Sequence, residues 1–274
     1  MKKGLLILLT LVLMVIGFSE TLVIKGSNTI FPVAQLWIEN LKEINPDLNI
    51  TLEGAGSSTG ISALFNETTD IANSSRWLKD KEIEKMHEEK KLFMPIVVGY
   101  DGIALIVNKE LGIDSITIEE LKKIYTGEIR TWKQLNSNLP NSRIVIYSRN
   151  TASGTFETFE NKVLDGAKMD PTVKMVESTQ FEIDQVSRNK YAIAYVGAGY
   201  VNDSVKVLKV ENELPTKLNI LNSIYPISRP LYMFVDVTNG YPETGKIKEY
   251  ITYALSKDGQ EMVEKAGYVA AYGF

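Results

Sequence analysis

The feature that most constrains this 274-residue chain is a hydroxyl-rich turn between an apolar run and a helical pattern. Residues 148–155 are Ser-Arg-Asn-Thr-Ala-Ser-Gly-Thr, after the apolar run 144–146 and before a helical pattern that starts near Phe156. A helix N-terminus presents free backbone N–H groups and the positive end of the helix dipole, which favour an anion. Arg149 adds a planar fork of donors, and Gly154 lets the backbone approach a ligand. The stretch predicts an anion site, with an N-cap beside a surface arginine as the alternative.

Three other turns of this composition follow strand-like apolar runs, at 26–32, 54–60 and 70–76. The first two precede helical patterns, and Pro32 stands where a first helical turn accepts proline. Serine and threonine cap many helices, so each turn alone indicates little. Four such turns in one chain indicate more, because ligands of open α/β sheets bind outside the carboxyl ends of the strands.

The spacing of apolar residues predicts an α/β fold. Strand, helix, strand, helix and strand span roughly 22–100. A second unit follows, and Thr117 with Glu120 forms a capping box at the start of one of its helices. Two more strands, a return strand and a C-terminal amphipathic helix are predicted at 143–148, 192–196, 221–235 and 244–257.

Residues 1–19 have the composition of a secretory signal peptide. Lys2 and Lys3 precede an apolar run over 5–16, which is short for a membrane-spanning helix. We expect cleavage near Ser19 or Glu20 and a secreted protein in the periplasm or on the extracellular face, with a retained membrane anchor as the alternative. The chain has no cysteine, which excludes structural disulfides and a lipid-modified cysteine.

The charge of the chain limits how it can bind an anion. Loss of Lys2 and Lys3 from the 30 basic residues leaves 28 against 34 acidic residues, a net charge of about −6. An acidic protein must bind an anion with local dipoles, hydroxyls and one or two cations in a closed cleft of low dielectric constant. The same charge argues against nucleic acid as a partner, because nucleic acid requires a basic face.

Motifs spread over nearly all of the chain after residue 19 combine glycine, serine and threonine with single charged or aromatic residues. They are the segments 26–29, 54–60, 71–76, 101–108, 125–127 with Trp132, Arg149 with 153–155, and 228–232. As a set they resemble the phosphate-binding proteins that deliver phosphate to an ABC-type importer. The resemblance implies a periplasmic-binding-protein-like fold, in which two α/β lobes joined by a hinge hold phosphate in the cleft between them.

The resemblance also implies an organisation and a set of partners. We place lobe one at 20–100 and 225–274, and lobe two at 101–224. The implied partners are inorganic phosphate and the membrane permease of an ABC phosphate importer. We expect a monomer without a cofactor.

Position by position, the resemblance implies a phosphate site of hydroxyls, backbone N–H groups and one guanidinium. The matching positions are Thr29, the backbone N–H of Ile30, Ser57, Arg149, Ser153, Gly154 and Thr155. Ser27 and Ser75 belong to two of the same turns, and we include both in the predicted site.

Two positions depart from the family pattern. Some members have aspartate where this chain has Ser75, and some have another where it has Thr151, which leaves Arg149 without a local carboxylate. Phosphate carries one or two protons near neutral pH, so a site that prefers phosphate gains from an acceptor, and a carboxylate also repels a fully ionised anion. We expect Asp101, between two strand-like runs, to be this acceptor; a turn residue before Gly102 is the alternative.

Other charged residues and other functions remain as alternatives. His87, the only histidine, lies in the charged run 79–91, which is typical of a solvated helix, so no catalytic or metal site is expected. Arg76 either assists the anion or pairs with a surface acid, and Arg229 shapes the hinge crossing. A secreted phosphate-ester hydrolase would need an activated nucleophile or a metal cluster. The same fold with sulfate, molybdate or tungstate as ligand stays open because of Ser75.

Overall fold

The computed structural model describes residues 21–273, so the predicted signal peptide lies outside the described residues. Within 21–273, no helix combines the length and the apolar character that crossing a membrane requires. The strands are β1 Leu22–Gly26, β2 Ile50–Gly54, β3 Ile71–Ser74, β4 Phe93–Val107, β5 Ser115–Ile116, β6 Val145–Arg149, β7 Lys174–Val176, β8 Ala192–Gly197, β9 Lys206–Val210, β10 Ser228–Asp236 and β11 Val269–Ala270.

The helices alternate with these strands. They are α1 Phe31–Ile44, α2 Ser57–Phe65, α3 Asp80–Glu88, α4 Ile118–Tyr125, α5 Trp132–Leu135, α6 Gly154–Phe159, α7 Thr179–Arg188, α8 Lys217–Leu221, α9 Gly245–Leu255 and α10 Lys257–Lys265. A π-helical turn, Glu160–Leu164, continues α6, and a 3₁₀ turn, Ala198–Tyr200, follows β8. Pro32 lies in the first turn of α1, as predicted.

The strands of the described part form one sheet in the order β2-β1-β3-β10-β4-β8-β6-β7, with β9 and β11 paired to β4 and β5 paired to β9. At one end β1 pairs in parallel with β2 and β3. At the other end β6 pairs in parallel with β7 and β8. The long strands β4 and β10 pair with each other in antiparallel fashion and join the two parallel groups. Parallel strands end at the same edge, so the predicted turns after β1, β2 and β3 lie together.

Separate hydrophobic cores lie on the two sides of this junction. Strand β4 contributes Val98 to one core and Ile103 to another. Strand β10 contributes Leu231 to the first core, whereas Ile227, just before β10, belongs to the second. The fold is therefore α/β with two lobes, which confirms the predicted class. The predicted lobe boundaries stay a prediction.

One alternative from the sequence was wrong. Strand β4 is continuous over 15 residues with Asp101 inside it, so Asp101 is not a turn residue before Gly102. The strand stays extended because its first part pairs with β10 and its second part with β8. The helix predicted at 244–257 is α9 Gly245–Leu255, and a further helix, α10, follows it because Ser256 is extended and its side chain caps α10 by accepting a hydrogen bond from the Gly259 N–H at 3.2 Å. The capping box of Thr117 and Glu120 is confirmed.

Helix α2, which carries Ser57 at its start, lies directly on β1. A Cβ at Gly60 would lie 2.7 Å from the Lys25 carbonyl oxygen and 2.7 Å from the Gly26 Cα. Both are backbone atoms and cannot move aside as a side chain can. Glycine at this position therefore sets how closely the second predicted turn approaches the first.

We expect Gly60→Ala to lower the free energy of unfolding by about 1–3 kcal/mol, the cost of overpacking against fixed atoms. Urea unfolding monitored by tryptophan fluorescence measures it. The matched control is Gly112→Ala, because a Cβ at Gly112 meets no atom within 4 Å. The control should stay within about 0.5 kcal/mol of the parent. Equal stability of both variants would show that α2 does not depend on close contact with β1.

Candidate functional site

The four predicted turns meet at the junction of the two lobes. Those after β1, β2 and β3 belong to lobe one, and the turn after β6 leads into α6 of lobe two. All ten predicted site residues are buried: Ser27, Thr29, Ile30, Ser57, Ser75, Asp101, Arg149, Ser153, Gly154 and Thr155. Burial of polar groups costs free energy unless they find hydrogen-bond partners, so such a cluster between lobes is typical of a polar ligand site.

Three serine hydroxyls of lobe one form the first part of the site. Ser27 Oγ donates to Ser75 Oγ at 3.0 Å, Ser57 Oγ lies 3.4 Å from Ser75 Oγ, and the Ser75 N–H donates to Ser57 Oγ at 3.1 Å. Gly154 of α6 lies against this cluster. A Cβ there would come within 2.7 Å of Ser75 Oγ and closer still to Ser57 Oγ. Only glycine lets the start of α6 approach the serines this closely.

Ser153 is the N-cap of α6. Its Oγ accepts hydrogen bonds from the N–H groups of Thr155 at 3.1 Å and Phe156 at 3.3 Å. The alternative of an N-cap beside a surface arginine is therefore right about the cap and wrong about the arginine, because Arg149 is 1% exposed.

Arg149 is held from several sides. Its Nη1 donates to Thr179 Oγ1 at 2.8 Å and its Nη2 to the Glu177 carbonyl oxygen at 2.6 Å. The side-chain amide of Asn28 in lobe one donates to the Gly54 carbonyl oxygen at 2.8 Å. Its side-chain oxygen accepts a hydrogen bond from Arg149 Nη2 at 2.7 Å. Arg149 Nε is buried without a hydrogen-bond partner among the described residues. The guanidinium is therefore fixed at the lobe junction with its Nε–H still to be satisfied.

Glu182 is a carboxyl group that sequence reasoning missed. It is fully buried on α7, and neither of its oxygens has a hydrogen-bond partner in the described part of the chain. Burial raises the pKa of Glu182 well above its usual range, and the positive charge of Arg149 opposes that rise. Burial likewise lowers the pKa of Arg149, against the field of Glu182. Arg149 thus has an acidic residue near it on α7 although position 151 is threonine, and a glutamate on the buried face of an amphipathic helix was the sequence signal for it.

Asp101 and Arg229 form a buried ion pair on the crossing strands. They are register partners on β4 and β10. Asp101 Oδ2 accepts from Arg229 Nη2 at 2.8 Å and from Nε at 3.1 Å, and Asp101 Oδ1 accepts from the Ala198 N–H at 2.9 Å. Burial raises the pKa of Asp101, and Arg229 opposes the rise. Both carboxylate oxygens therefore already have partners.

Arg229 also reaches the predicted site. Its Nη2 donates to Thr155 Oγ1 at 2.9 Å and to Thr29 Oγ1 at 3.2 Å, and the two hydroxyl oxygens lie 3.0 Å apart. Its Nη1 is buried without a partner among the described residues. The sequence interpretation of Arg229 as a residue of the hinge crossing was incomplete, because its side chain contacts both lobes at the site.

Taken together, the site contains two guanidinium groups and a set of hydroxyls that converge from both lobes. Donors of this kind match the oxygens of a tetrahedral oxyanion. Among residues 21–273, no group of three or more histidine, cysteine, aspartate or glutamate side chains could hold a metal ion.

Ion pairs close the cleft beside the site. Glu157 in the first turn of α6 lies 2.9 Å from Arg76 Nε and 2.8 Å from Lys79 Nζ, both of lobe one. Arg76 also pairs with Glu82 at 2.8 Å. Of the two roles that the sequence allowed for Arg76, its contacts therefore match pairing with an acidic residue. The Ser58 N–H donates a backbone hydrogen bond across the cleft to the Ala152 carbonyl oxygen at 3.1 Å. We call Arg76, Lys79, Glu82 and Glu157 the interlobe ion cluster.

Comparisons with known proteins agree with this geometry. A two-lobed α/β fold with a buried donor site in the cleft defines a solute-binding protein, and the family model for the PBP superfamily domain matches residues 18–258. The phosphate-binding protein PstS of Staphylococcus haemolyticus is 30% identical over 256 residues, covering 90% of this chain and 80% of the relative. That of Staphylococcus aureus strain USA300 is 31% identical over 255 residues, covering 90% and 77%. The chain belongs to the PBP superfamily and, within it, to the PstS phosphate-binding proteins.

Solved structures lead to the same family. A candidate phosphate ABC transporter substrate-binding protein of Clostridium perfringens, with bound phosphate, has a TM-score of 0.84 and 32% identity, covering 92% of this chain and all of that one (100%). An ABC-type phosphate transport receptor of Vibrio cholerae has a TM-score of 0.72 and 27% identity, covering 90% and 99%.

We expect Glu157→Gln to weaken phosphate binding about 3- to 30-fold, because the closed form loses the charge that holds Arg76 and Lys79. Isothermal titration calorimetry measures the affinity. Removal of an acidic charge would by itself favour an anion, so weaker binding must come from the lost contact between lobes. The control is Glu160→Gln, which removes a charge one turn later in the same segment and should not weaken binding. Unchanged affinity in Glu157→Gln would show that the interlobe ion cluster does not support closure.

Proposed function

We infer that the protein is an extracytoplasmic solute-binding protein that captures inorganic phosphate between its lobes and delivers it to an ABC transporter for import. The observation that carries this function is the buried cluster of hydroxyls and two guanidinium groups at the junction of the lobes. Its hydroxyls come from both lobes, so closure of the cleft completes the set of donors.

The proposed phosphate contacts come from both lobes. Lobe one supplies the hydroxyls of Ser27, Thr29, Ser57 and Ser75 and the backbone N–H of Ile30. Lobe two supplies Arg149, Ser153, Gly154 and Thr155. Unpartnered N–H groups of Arg149 and Arg229 support this assignment, because a buried donor without a partner costs about 1–3 kcal/mol and an anion would satisfy it.

Asp101 stays in the proposed site. Its carboxylate holds Arg229, which in turn contacts Thr29 and Thr155. In place of the acceptor role expected from the sequence, we propose that Asp101 acts through Arg229, because both of its oxygens already accept hydrogen bonds. The lobes, at 20–100 with 225–274 and at 101–224, would then meet at this residue.

Binding in this arrangement depends on closure. Phosphate enters between open lobes, and α6 then brings Arg149 and Gly154 against the serines of lobe one. Exclusion of water strengthens each charge-assisted hydrogen bond, which lets an acidic protein hold an anion. Hinge motion at β4 and β10 opens the cleft again for release to the permease. The protein is proposed to act as a monomer after removal of its signal peptide.

Arg149→Gln should weaken phosphate binding by about 2–5 kcal/mol, or about 30- to 4,000-fold, because the buried anion loses its charged partner. Calorimetric titration with phosphate measures the change. Arg143→Gln is the matched control, an exposed arginine just before β6, and should bind as the parent does. Thermal denaturation confirms that both variants fold. If the Arg149→Gln protein binds phosphate as tightly as the parent, Arg149 does not contact the ligand.

We further propose that the protein binds without catalysis. A chromogenic phosphate ester incubated with the protein should release no product above the buffer blank. Turnover that disappears in Arg149→Gln would favour the alternative, a secreted hydrolase.

Titration with sulfate, molybdate and tungstate in the same buffer tests the other alternative ligands. If one of these anions binds more tightly than phosphate, that anion and not phosphate is the ligand.

A further inference from the structure

We propose that Arg229 is a positioning residue that fixes the hydroxyls of Thr29 and Thr155 so that one of them donates a hydrogen bond to the bound anion, and an unprotonated oxygen of the ligand lies at this end of the site. The proposal rests on the proposed function and adds a role for a residue outside the predicted contacts.

The first step is that Arg229 cannot turn. Its Nε and Nη2 both donate to Asp101 Oδ2, and Asp101 is held in turn by the Ala198 N–H. Both side chains are nearly inaccessible, with 5% exposure for Arg229 and none for Asp101. The plane of the guanidinium group is therefore fixed by the pairing of β4 with β10.

The second step counts hydrogens. Arg229 Nη2 has two hydrogens: one is directed to Asp101, and the other serves the two threonine hydroxyls at 2.9 and 3.2 Å. A guanidinium has no acceptor, so neither hydroxyl can direct its proton back to Arg229. The hydroxyls lie 3.0 Å apart, so one donates to the other. The remaining hydroxyl proton has no acceptor within this group and is available to a ligand.

The third step compares the two ends of the site. The Arg229 end offers a hydroxyl proton, which is a donor. Asp101 also lies at this end, but both of its oxygens already accept hydrogen bonds from Arg229 and the Ala198 N–H. The serines at the other end can accept as well as donate, since Ser57 Oγ already accepts from the Ser75 N–H and Ser75 Oγ accepts from Ser27. A protonated phosphate oxygen is therefore accommodated at the serines, and an unprotonated oxygen at Thr29 and Thr155.

A purely electrostatic role is the competing account of Arg229. In that account the arginine only neutralises Asp101, whose carboxylate would otherwise repel an anion. The two accounts differ when both charges of the pair are removed. The double variant Arg229→Gln/Asp101→Asn keeps the net charge of the site but lacks the rigid fork that orients the threonines.

The test is calorimetric titration of phosphate into the parent, Asp101→Asn, Arg229→Gln and the double variant. We expect the double variant to bind about 10- to 100-fold more weakly than the parent, the loss of a charge-assisted hydrogen bond to an anion. Arg229→Gln alone should be weaker still, because Asp101 then lacks its partner. A double variant that binds as tightly as the parent would overturn the proposal.

A second set of variants makes the test independent of folding defects in the pair. Thr29→Val/Thr155→Val, which removes both hydroxyls of the pair, should lose affinity to a similar extent. Its combination with Arg229→Gln/Asp101→Asn should lose little more, because Arg229 acts through these hydroxyls. Additive losses would contradict the proposal. A parent that fails to bind phosphate would instead contradict the proposed function, so the two failures are distinguishable.

Discussion

The structure depends on the burial of hydrogen-bond donors at the junction of two lobes. Serine and threonine hydroxyls, backbone N–H groups and two guanidiniums are removed from water there, and such burial is unfavourable unless acceptors are supplied. Ser27, Ser57 and Ser75 satisfy one another in part, whereas Arg149 and Arg229 each retain a buried N–H without a partner among the described residues. In the proposed function a tetrahedral anion supplies the acceptors, so that binding and closure of the lobes stabilise each other.

The strands that cross between the lobes and the site share residues in this protein. Strands β4 and β10 run from one lobe to the other, and they carry Asp101 and Arg229 as register partners. A change in how these strands pair would therefore move the guanidinium relative to Thr29 and Thr155. The interlobe ion cluster lies at a separate place, where Glu157 on α6 pairs with Arg76 and Lys79 of lobe one, and we predict that it stabilises the closed form. In this account closure is supported both at the site and beside it.

The sequence predicted those parts of the fold and site that depend on local patterns. Apolar runs followed by glycine and hydroxyl residues placed the four turns, and their burial together agrees with the rule that ligands lie at the carboxyl ends of strands. Local patterns could not predict the contacts of Arg229 or the position of Glu182 near Arg149. Arg229 and Asp101 are 128 positions apart, and Glu182 reaches Arg149 only because α7 packs beside β6. Local periodicity also could not show that β4 continues through Asp101, because its two halves pair with different strands.

The most direct test of the central claim is a crystal structure of the protein grown with phosphate. The account predicts phosphate at the lobe junction, with its oxygens about 3 Å from the Arg149 guanidinium, from the serine hydroxyls of lobe one and from a hydroxyl of Thr29 or Thr155. A phosphate bound to one lobe only would contradict the account. A phosphate at the surface, with the buried hydroxyls and both arginines still in the contacts described above, would contradict it as well.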